Sequence, residues 1–464
     1  MRIEFDRRPI LVFASGLIVG ILAIENWLAI PVGIVFLFLI ERRSVAWTYF
    51  AAILLGAIIA PKANSVEIPR NSTLDADVTV SRVPVIFDTG IQCIVDIQGQ
   101  TFAMTMPSEC EPHLGDVWRI RGKLQSLSET QEQFYAVRGV NERVKVLSAH
   151  KVSDGPWFYA LSDKWRRSML SLTHETMGPE TGSLVEALCF NMNGRLSNEL
   201  SQSLVDSGTI HVIAASGLQV MILAGFIQFA FGLLPLPRWT QLLLLSIVLL
   251  SYACSTGLNP PVVRAVIMAI LFVSAYMFRR EPDVMNSLGL ACVAYLLWQP
   301  GSVYDLSFQL SSIAVGALGL FYRFNRSAPN TALESLGSQT YDLARGTVIA
   351  TLGTAPIVAY AFGRISVIGL AANFLVIPFV APIILLSLVS LMVHPVLPAL
   401  SMGLMKLGVE PLTAWVKWAV EISASVPFAV LTVPAFSPLW LLAYYVGWIL
   451  VWRPQVRPVP NNLS

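Results

Sequence analysis

Charged side chains are scarce in this sequence, 13% of 464 residues, while hydrophobic ones reach 55%. A soluble domain carries about a quarter charged residues, so a soluble globular protein of this length is excluded and a polytopic membrane protein is expected. Histidine is scarce too. The five present, His113, His150, His174, His211 and His394, include no His-x-His pair and no cluster at metal-ligand spacing, so neither a metal nor another cofactor is expected. No P-loop is present, which excludes ATP as a direct energy source within the chain. No internal repeat is visible, and repeats are the mark of many transporters. No small-residue cleavage site follows the first apolar run, and further runs come directly after it, so the amino terminus reads as an anchor.

What is abundant is apolar runs of near-spanning length. They give roughly ten spans or re-entrant helices. Arg2, Arg7 and Arg8 precede the first run (9–24), and Glu41, Arg42 and Arg43 separate the second from the third (44–60), whereas the Glu25-Asn26 turn has no cation. By the positive-inside rule the amino terminus is cytoplasmic and the third run delivers the next segment outside. A re-entrant hairpin is the competing reading of the first two runs. Arg279 and Arg280, Arg323 and Arg326, and Arg453 and Arg457 mark later internal loops, which puts the turns 255–261 and 299–305 outside. The expected order is N-terminal transmembrane helices (1–60), an external domain (61–151), interfacial helices (152–206), a transmembrane domain (207–453) and a cytoplasmic tail (454–464).

Within 61–151 apolar and polar residues alternate, as in DADVTVSRVPVIF and DVWRIRGKLQSL, with Gly, Pro and Asp clusters between. Five or six short strands in this length suit a partly open OB-like β-barrel, with a sandwich as the alternative. Nine Lys/Arg against eleven Asp/Glu between residues 61 and 150 give a net of −2, so no summed basic footprint points to a polyanion. Arg119, Arg121 and Lys123 do share one strand face, which a solvated surface explains. Cys93 and Cys110 could bridge strands if the domain is external, or be a chance pair. The next segment, PWFYALSDKWRRSMLSL, combines Trp157, Phe158, Tyr159 and Trp165 with Lys164, Arg166 and Arg167, the composition of a headgroup-zone helix.

Four polar constellations interrupt the apolar remainder. GTIHVIAASGLQVMILAGF (208–226) follows Asp206 and carries His211, Ser216, Gly217 and Gln219. STGLNPPVVRAVIMA places Arg264 one turn inside a helix, where its guanidinium stays charged and needs acceptors or water. VYDLSFQLSSIAVGALG brings Asp305, Ser307, Gln309, Ser311 and Ser312 to the start of another helix, and Pro356, Asn373 and Pro378 interrupt two more. Kinks and helix packing would explain any one of these. Four together suggest a shared wet cavity, because each unsatisfied group in hydrocarbon costs several kcal/mol. A hydrolase built on Ser216 and His211 fits poorly, since five residues on a helix is about 140° of rotation. A small-solute transporter is the other alternative.

The order of GTIHVIAASGLQV, GLNPPVVRA, DLSFQLSS and TAP…NFLVIP resembles the membrane domain of ComEC-type competence proteins. His211, Ala214, Ser216 and Gly217 carry the signature. The resemblance implies an inner-membrane, multi-pass channel that passes single-stranded DNA into the cytoplasm during natural transformation, and not an enzyme. It implies three N-terminal spans, an external OB-like domain and a helical competence domain, the order read above. Ser216, Gln219, Arg264, Asp305, Gln309 and Asn373 are the conduit candidates, with Asp305 a resting partner for Arg264. His211 and Gly217 are assigned structural roles. Two departures stand out. Gln219 replaces a common second His and cannot titrate, and the metallo-β-lactamase-like domain of many members is not expected here. Expected partners are single-stranded DNA and membrane lipid, with a separate nuclease, a DNA receptor, a cytoplasmic ATPase and further copies of the chain as candidates.

Overall fold

A computed structural model describes residues 9–25, 43–59, 73–126 apart from 82–83, 88–89, 98–99 and 108, 142–279 apart from 214–216, 283–321, and 332–451 apart from 428. The second apolar run, Ser216, and several of the charged loops used for the topology reading (Arg2, Arg7, Arg8, Arg42, Arg280, Arg323, Arg326, Arg453, Arg457) lie outside the described residues.

The elements run α1 (Pro9–Glu25), α2 (Arg43–Ile59), β1 (Thr73–Val80), β2 (Val85–Phe87), β3 (Gly90–Ile97), β4 (Gln100–Met106), β5 (Val117–Ser126), β6 (Glu142–Ser153), α3 (Trp157–Thr176), α4 (Pro179–Phe190), α5 (Asn198–Asp206), α6 (Ile210–Ile213), α7 (Gly217–Gly232), α8 (Arg238–Ser255) and α9 (Pro260–Met277). They continue with α10 (Val284–Trp298), α11 (Leu306–Phe321), α12 (Ala332–Phe362), β7 (Arg364–Ser366), α13 (Gly369–Val393), α14 (Pro398–Leu404), α15 (Glu410–Ser425), β8 (Val430–Thr432) and α16 (Leu439–Val451). Among the described residues α8, α9 and α13 are long and apolar enough to cross a membrane, and five shorter apolar helices accompany them. The linear order of domains does not coincide with the compact units. One unit joins residues 1–61, 274–370 and 430–464, and the other joins 62–273 and 371–429.

The β domain closes into a ring. β1 pairs with β5, β5 with β6, β6 with β4, β4 with β3, and β3 back to β1, while β2 is a hairpin partner of β3 alone. All pairings are antiparallel except β4–β6, which is parallel through Ala103–Arg143 to Thr105–Lys145. Five strands in a closed Greek-key order make the small barrel expected from the alternation. Trp118, Ile120 and Leu124 point inward from β5 against Val78, Val95, Met104 and Val144. Arg119, Arg121 and Lys123 point outward, and β1 sets Asp77 opposite Arg119 and Asp75 opposite Arg121. The Arg119 Nε lies 3.1 Å from Asp75. This matched face agrees with a solvated surface.

Cys93 and Cys110 are both free thiols, so the disulfide considered for them is not formed in this structure. Burial pushes the Cys93 thiol up to about 12, with Cys110 a second cause. A thiol so raised is a poor nucleophile for exchange.

In the first unit α1 and α2 meet almost backbone to backbone. A Cβ on Gly20 would clash with the Ile53 carbonyl oxygen, and one on Gly56 with that of Leu17. Gly16 and Gly20 form a G-x-x-x-G stripe of the kind that packs helices in lipid. α10 closes on the other side of α1, where a Cβ on Gly289 would stand 2.9 Å from Leu11. α12 carries Pro356 in its interior. A proline leaves the carbonyl four residues earlier without its donor. That carbonyl belongs to Leu352, and the Tyr444 hydroxyl donates to it at 2.9 Å, while Tyr445 donates to Gly353 at 2.8 Å.

The second unit holds the barrel, α3–α8, most of α9 and of α13, and α14–α15. Asp163 on α3 is the hub that seats the barrel. His113 Nδ1 lies 3.0 Å from it, Arg166 3.5 Å, and Arg167 Nε 2.6 Å, while Arg167 also reaches Glu111 at 2.9 Å. Asp163, His113, Arg167 and Glu111 border a cavity of about 440 Å³ lined with Lys164 and Ser168 as well. Asp116, buried at the barrel's end, accepts from the backbone N–H of His113 and of Gly155, both at 2.8 Å, and pairs with Lys151 at 2.9 Å.

Candidate functional site

The segment from Asp206 to Phe226 is broken at Gly208. Gly208 takes φ +73, a conformation open to glycine at no steric cost, and ends α5 with its own N–H on Val205 O while Thr209 N–H bonds to Leu204 O. A short α6 follows, and α7 is described from Gly217 onward. His211 Nδ1 lies 2.9 Å from the Gly208 carbonyl oxygen. A carbonyl only accepts, so Nδ1 carries the proton and Nε2 is left as an acceptor. The bond stays within the turn, and His211 is otherwise exposed. The buried polar pair of this turn is instead Ser207 and Thr209, whose hydroxyls lie 2.8 Å apart.

Gln219 lies two residues into α7 and is fully buried. Tyr252 on α8 reaches it. The phenol donates to the Cys189 carbonyl at 2.8 Å and lies 3.4 Å from Gln219 Oε1. One phenolic proton cannot serve two acceptors, and the Cys189 carbonyl is the nearer. Turned over, the Gln219 amide would donate to the phenolic oxygen, so in either orientation one amide atom is left without a hydrogen-bond partner among the described residues. Such a group costs about 1–3 kcal/mol. Cys189 also faces Ser387 of α13, a buried hydroxyl.

Arg264 sits on α9 at 2% exposure. Its neighbours Val262, Ala265 and Val266 pack with Val220, Leu223, Leu249 and Tyr252 in one apolar cluster. A Cβ on Gly217 would touch that of Ala265 at 3.3 Å, so the glycine lets α7 approach α9 closely. Gln219 and Arg264 therefore belong to one three-helix seam of α7, α8 and α9. Asn373, in the first turns of α13, is buried at 4% exposure, and its Oδ1 has no hydrogen-bond partner among the described residues.

Asp305 and Gln309 belong to the other unit, and there the local turn employs them. Asp305 Oδ1 accepts from Ser307 N–H at 2.8 Å, capping α11, and the Gln309 side chain donates to the Val303 carbonyl at 3.0 Å. Ser302 and Tyr295 reach Gln299 in the same turn.

A second buried polar site was missed by the sequence reading. Glu186 on α4 is 1% exposed, accepts from Thr173 Oγ1 at 2.6 Å, and lies 3.8 Å from Arg195, which also contacts His174. Burial raises the Glu186 carboxyl above its ordinary value, against the opposing Thr173 hydrogen bond and Arg195 charge. The single acid in SLVEALCF was a signal that could have been read. Among the described residues no group of three His, Cys, Asp or Glu could hold a metal ion.

Comparison with known proteins follows the same lines. ComE operon protein 3 of Bacillus subtilis is 28% identical over 232 residues, 48% of this chain and 29% of that protein. Recombination protein 2 of Haemophilus influenzae is 23% identical over 382 residues, 76% of this chain and 47% of that protein. An uncharacterized protein, YcaI, of Escherichia coli is 28% identical over 238 residues, 48% of this chain and 31% of that protein. The chain thus spans less than half the length of these relatives, and no solved structure matches it. The family model described as Competence protein matches residues 188–457, a stretch that opens just before Cys189 and takes in Gln219, Tyr252, Arg264 and Asn373, and by that match the chain belongs to the competence protein family, as a ComEC-type member.

Proposed function

We propose that the chain is an inner-membrane translocator of single-stranded DNA, acting in natural transformation, and that the α7–α8–α9 seam is part of its conduit. The observation that carries this reading is a buried guanidinium, Arg264, on a helix whose apolar residues Val262, Ala265 and Val266 share one cluster with Val220 and Tyr252, the neighbours of the incompletely satisfied Gln219. The guanidinium keeps its charge at any physiological pH, and Arg engages a phosphate through a bidentate fork. Ser216, three residues before Gln219 in the sequence, and Asn373 are assigned to the same path. With Arg264 buried, passage of a strand requires α7 and α9 to part, and the Gly217–Ala265 contact is where they would separate. Chemistry on the strand is left to partner proteins, a nuclease and an ATPase among them.

The test is Arg264→Gln and Arg264→Lys, scored for membrane abundance and for uptake of labelled DNA. The glutamine variant should keep normal abundance and lose uptake by roughly an order of magnitude or more, with lysine rescuing in part because it keeps the charge without the fork. Loss of abundance in parallel with uptake would reduce Arg264 to a packing residue and remove the proposal's main support.

A further inference from the structure

We propose that the amino-terminal end of α3 is a lipid-binding element, seated in the headgroup zone of the bilayer beside α8, and that it fixes the height of the barrel over the membrane. The exposed stripe of α3 runs Trp157, Leu161, Lys164, Arg167, Ser171, Glu175. It is apolar for its first turns and charged or polar after them, with Phe158 adding to the apolar end. Trp157 is 77% exposed, one of the most open aromatic side chains among the described residues, and Val152 at the end of β6 is 56% exposed just before it. The opposite face of α3 is already occupied, by the barrel through Asp163 and Arg166 and by apolar partners through Met169 and Leu172. The stripe is therefore an outer face from which Arg167 turns back to Asp163 and Glu111, and its occupant must accept Trp and Leu at one end and Lys164 further along.

The neighbour of that end identifies the occupant. α3 packs against α8, one of the three helices able to cross a membrane. The Tyr159 hydroxyl is pushed up first by burial and then by Cys254, the penultimate residue of α8. An 18-residue helix is only just long enough to span, so its last turn lies at the hydrocarbon boundary. Trp157, Phe158 and Leu161 are consequently held at the depth where Trp and Tyr concentrate in membrane proteins, and Lys164 follows at the level of lipid phosphates. An interfacial helix of this charge pattern binds anionic lipid surfaces.

The experiment uses the full chain in vesicles of phosphatidylcholine and phosphatidylglycerol. Cys110 and Cys254, the two cysteines that are not buried and form no disulfide, are replaced by Ser, and single cysteines are placed by Trp157→Cys, Leu161→Cys and Ser171→Cys. Each is labelled with an environment-sensitive fluorophore. Labels at 157 and 161 should be quenched by lipids spin-labelled near the headgroup and be several-fold less sensitive to aqueous iodide than the label at 171. Free iodide access at 157 with no quenching by lipid would overturn the proposal. Protection from both quenchers would also overturn it, since a protein surface would then cover the stripe. A role in DNA passage is not part of the readout, so this proposal and the translocator reading fail separately.

Discussion

Asp163 shows how one side chain can join two folding elements. Burial alone would raise its carboxyl, but hydrogen bonds from His113 and Arg167 and the charges of Arg166 and Arg167 outweigh burial and hold it below its ordinary value of 3.8. A group depressed on folding stabilises the folded state above its unfolded pKa, and that contribution is lost as pH falls through the folded value. Lys151 behaves oppositely. Burial lowers it, but hydrogen bonds to Asp154 and Asp116 outweigh burial and raise it, so its contribution is full below 10.5 and lost only as pH rises through the folded value. The barrel's seat on α3 should therefore hold across the neutral range. Proteolysis of the 154–156 linker should be flat from about pH 5 to 9 and rise below about pH 4. Asp163→Asn should bring the sensitive state up to neutral pH, and an unchanged digestion pattern would show that the apolar contacts of α3 suffice. Residue chemistry was partly legible in the sequence. Arg264 stood out because a charge in an apolar run has few explanations. Asp305 and Gln309 stood out for the same reason, yet the backbone at the start of α11 claims both. Tyr252 and Glu186 went unread because their partners, Cys189 O and Thr173, lie on other helices that sequence spacing does not bring together.

At the scale of elements, the strands were legible from alternation, and Trp118, Ile120 and Leu124 face inward as the pattern required. Their order in the ring was not, because the parallel β4–β6 pairing is a long-range match that a period of two cannot specify. The proline inside α12 was visible in the sequence as Pro356, but the repair of the carbonyl it frees was not. Tyr444 answers the carbonyl that Pro356 frees, from a helix nearly a hundred residues away, |i−j| = 92. A double-mutant cycle isolates that exchange. Tyr444→Phe should cost about 1–3 kcal/mol by leaving the Leu352 carbonyl unsatisfied. The same change made together with Pro356→Ala should cost much less, because the alanine N–H restores the intrahelical donor. Thermal unfolding of the four detergent-solubilised variants measures it, and equal costs in both backgrounds would show that Tyr444 acts by packing alone.

For the whole molecule, the charge pattern of the loops makes a prediction that lies beyond the fold. On that pattern the barrel should face outward and both ends of the chain should face the cytoplasm. A cysteine introduced by Ser148→Cys, at an exposed position of β6, should react in intact cells with an impermeant maleimide, and one introduced by Asn462→Cys should not. The reverse pattern would invert the topology and with it the positive-inside argument. Membrane class, barrel and family were readable because each leaves a local trace in composition, alternation or motif. The interleaving of 1–61 with 274–370 and 430–464 left none. It depends on close backbone approaches such as Gly289 at Leu11, and a lone glycine carries no address for the helix it will meet.

The ring order of the barrel also sets a schedule for biogenesis. β1 needs β5, and β4 needs β6, so the barrel cannot close until Glu142–Ser153 has emerged. Contacts that span so much chain form slowly, and partly formed sheets expose apolar strands to aggregation. Because β6 runs directly into α3, closure of the barrel and arrival of α3 at the membrane become successive moments of one synthesis. A pause placed by slow codons far enough downstream of Ser153 for β6 to have left the ribosome would give the barrel time to close before the later helices are threaded.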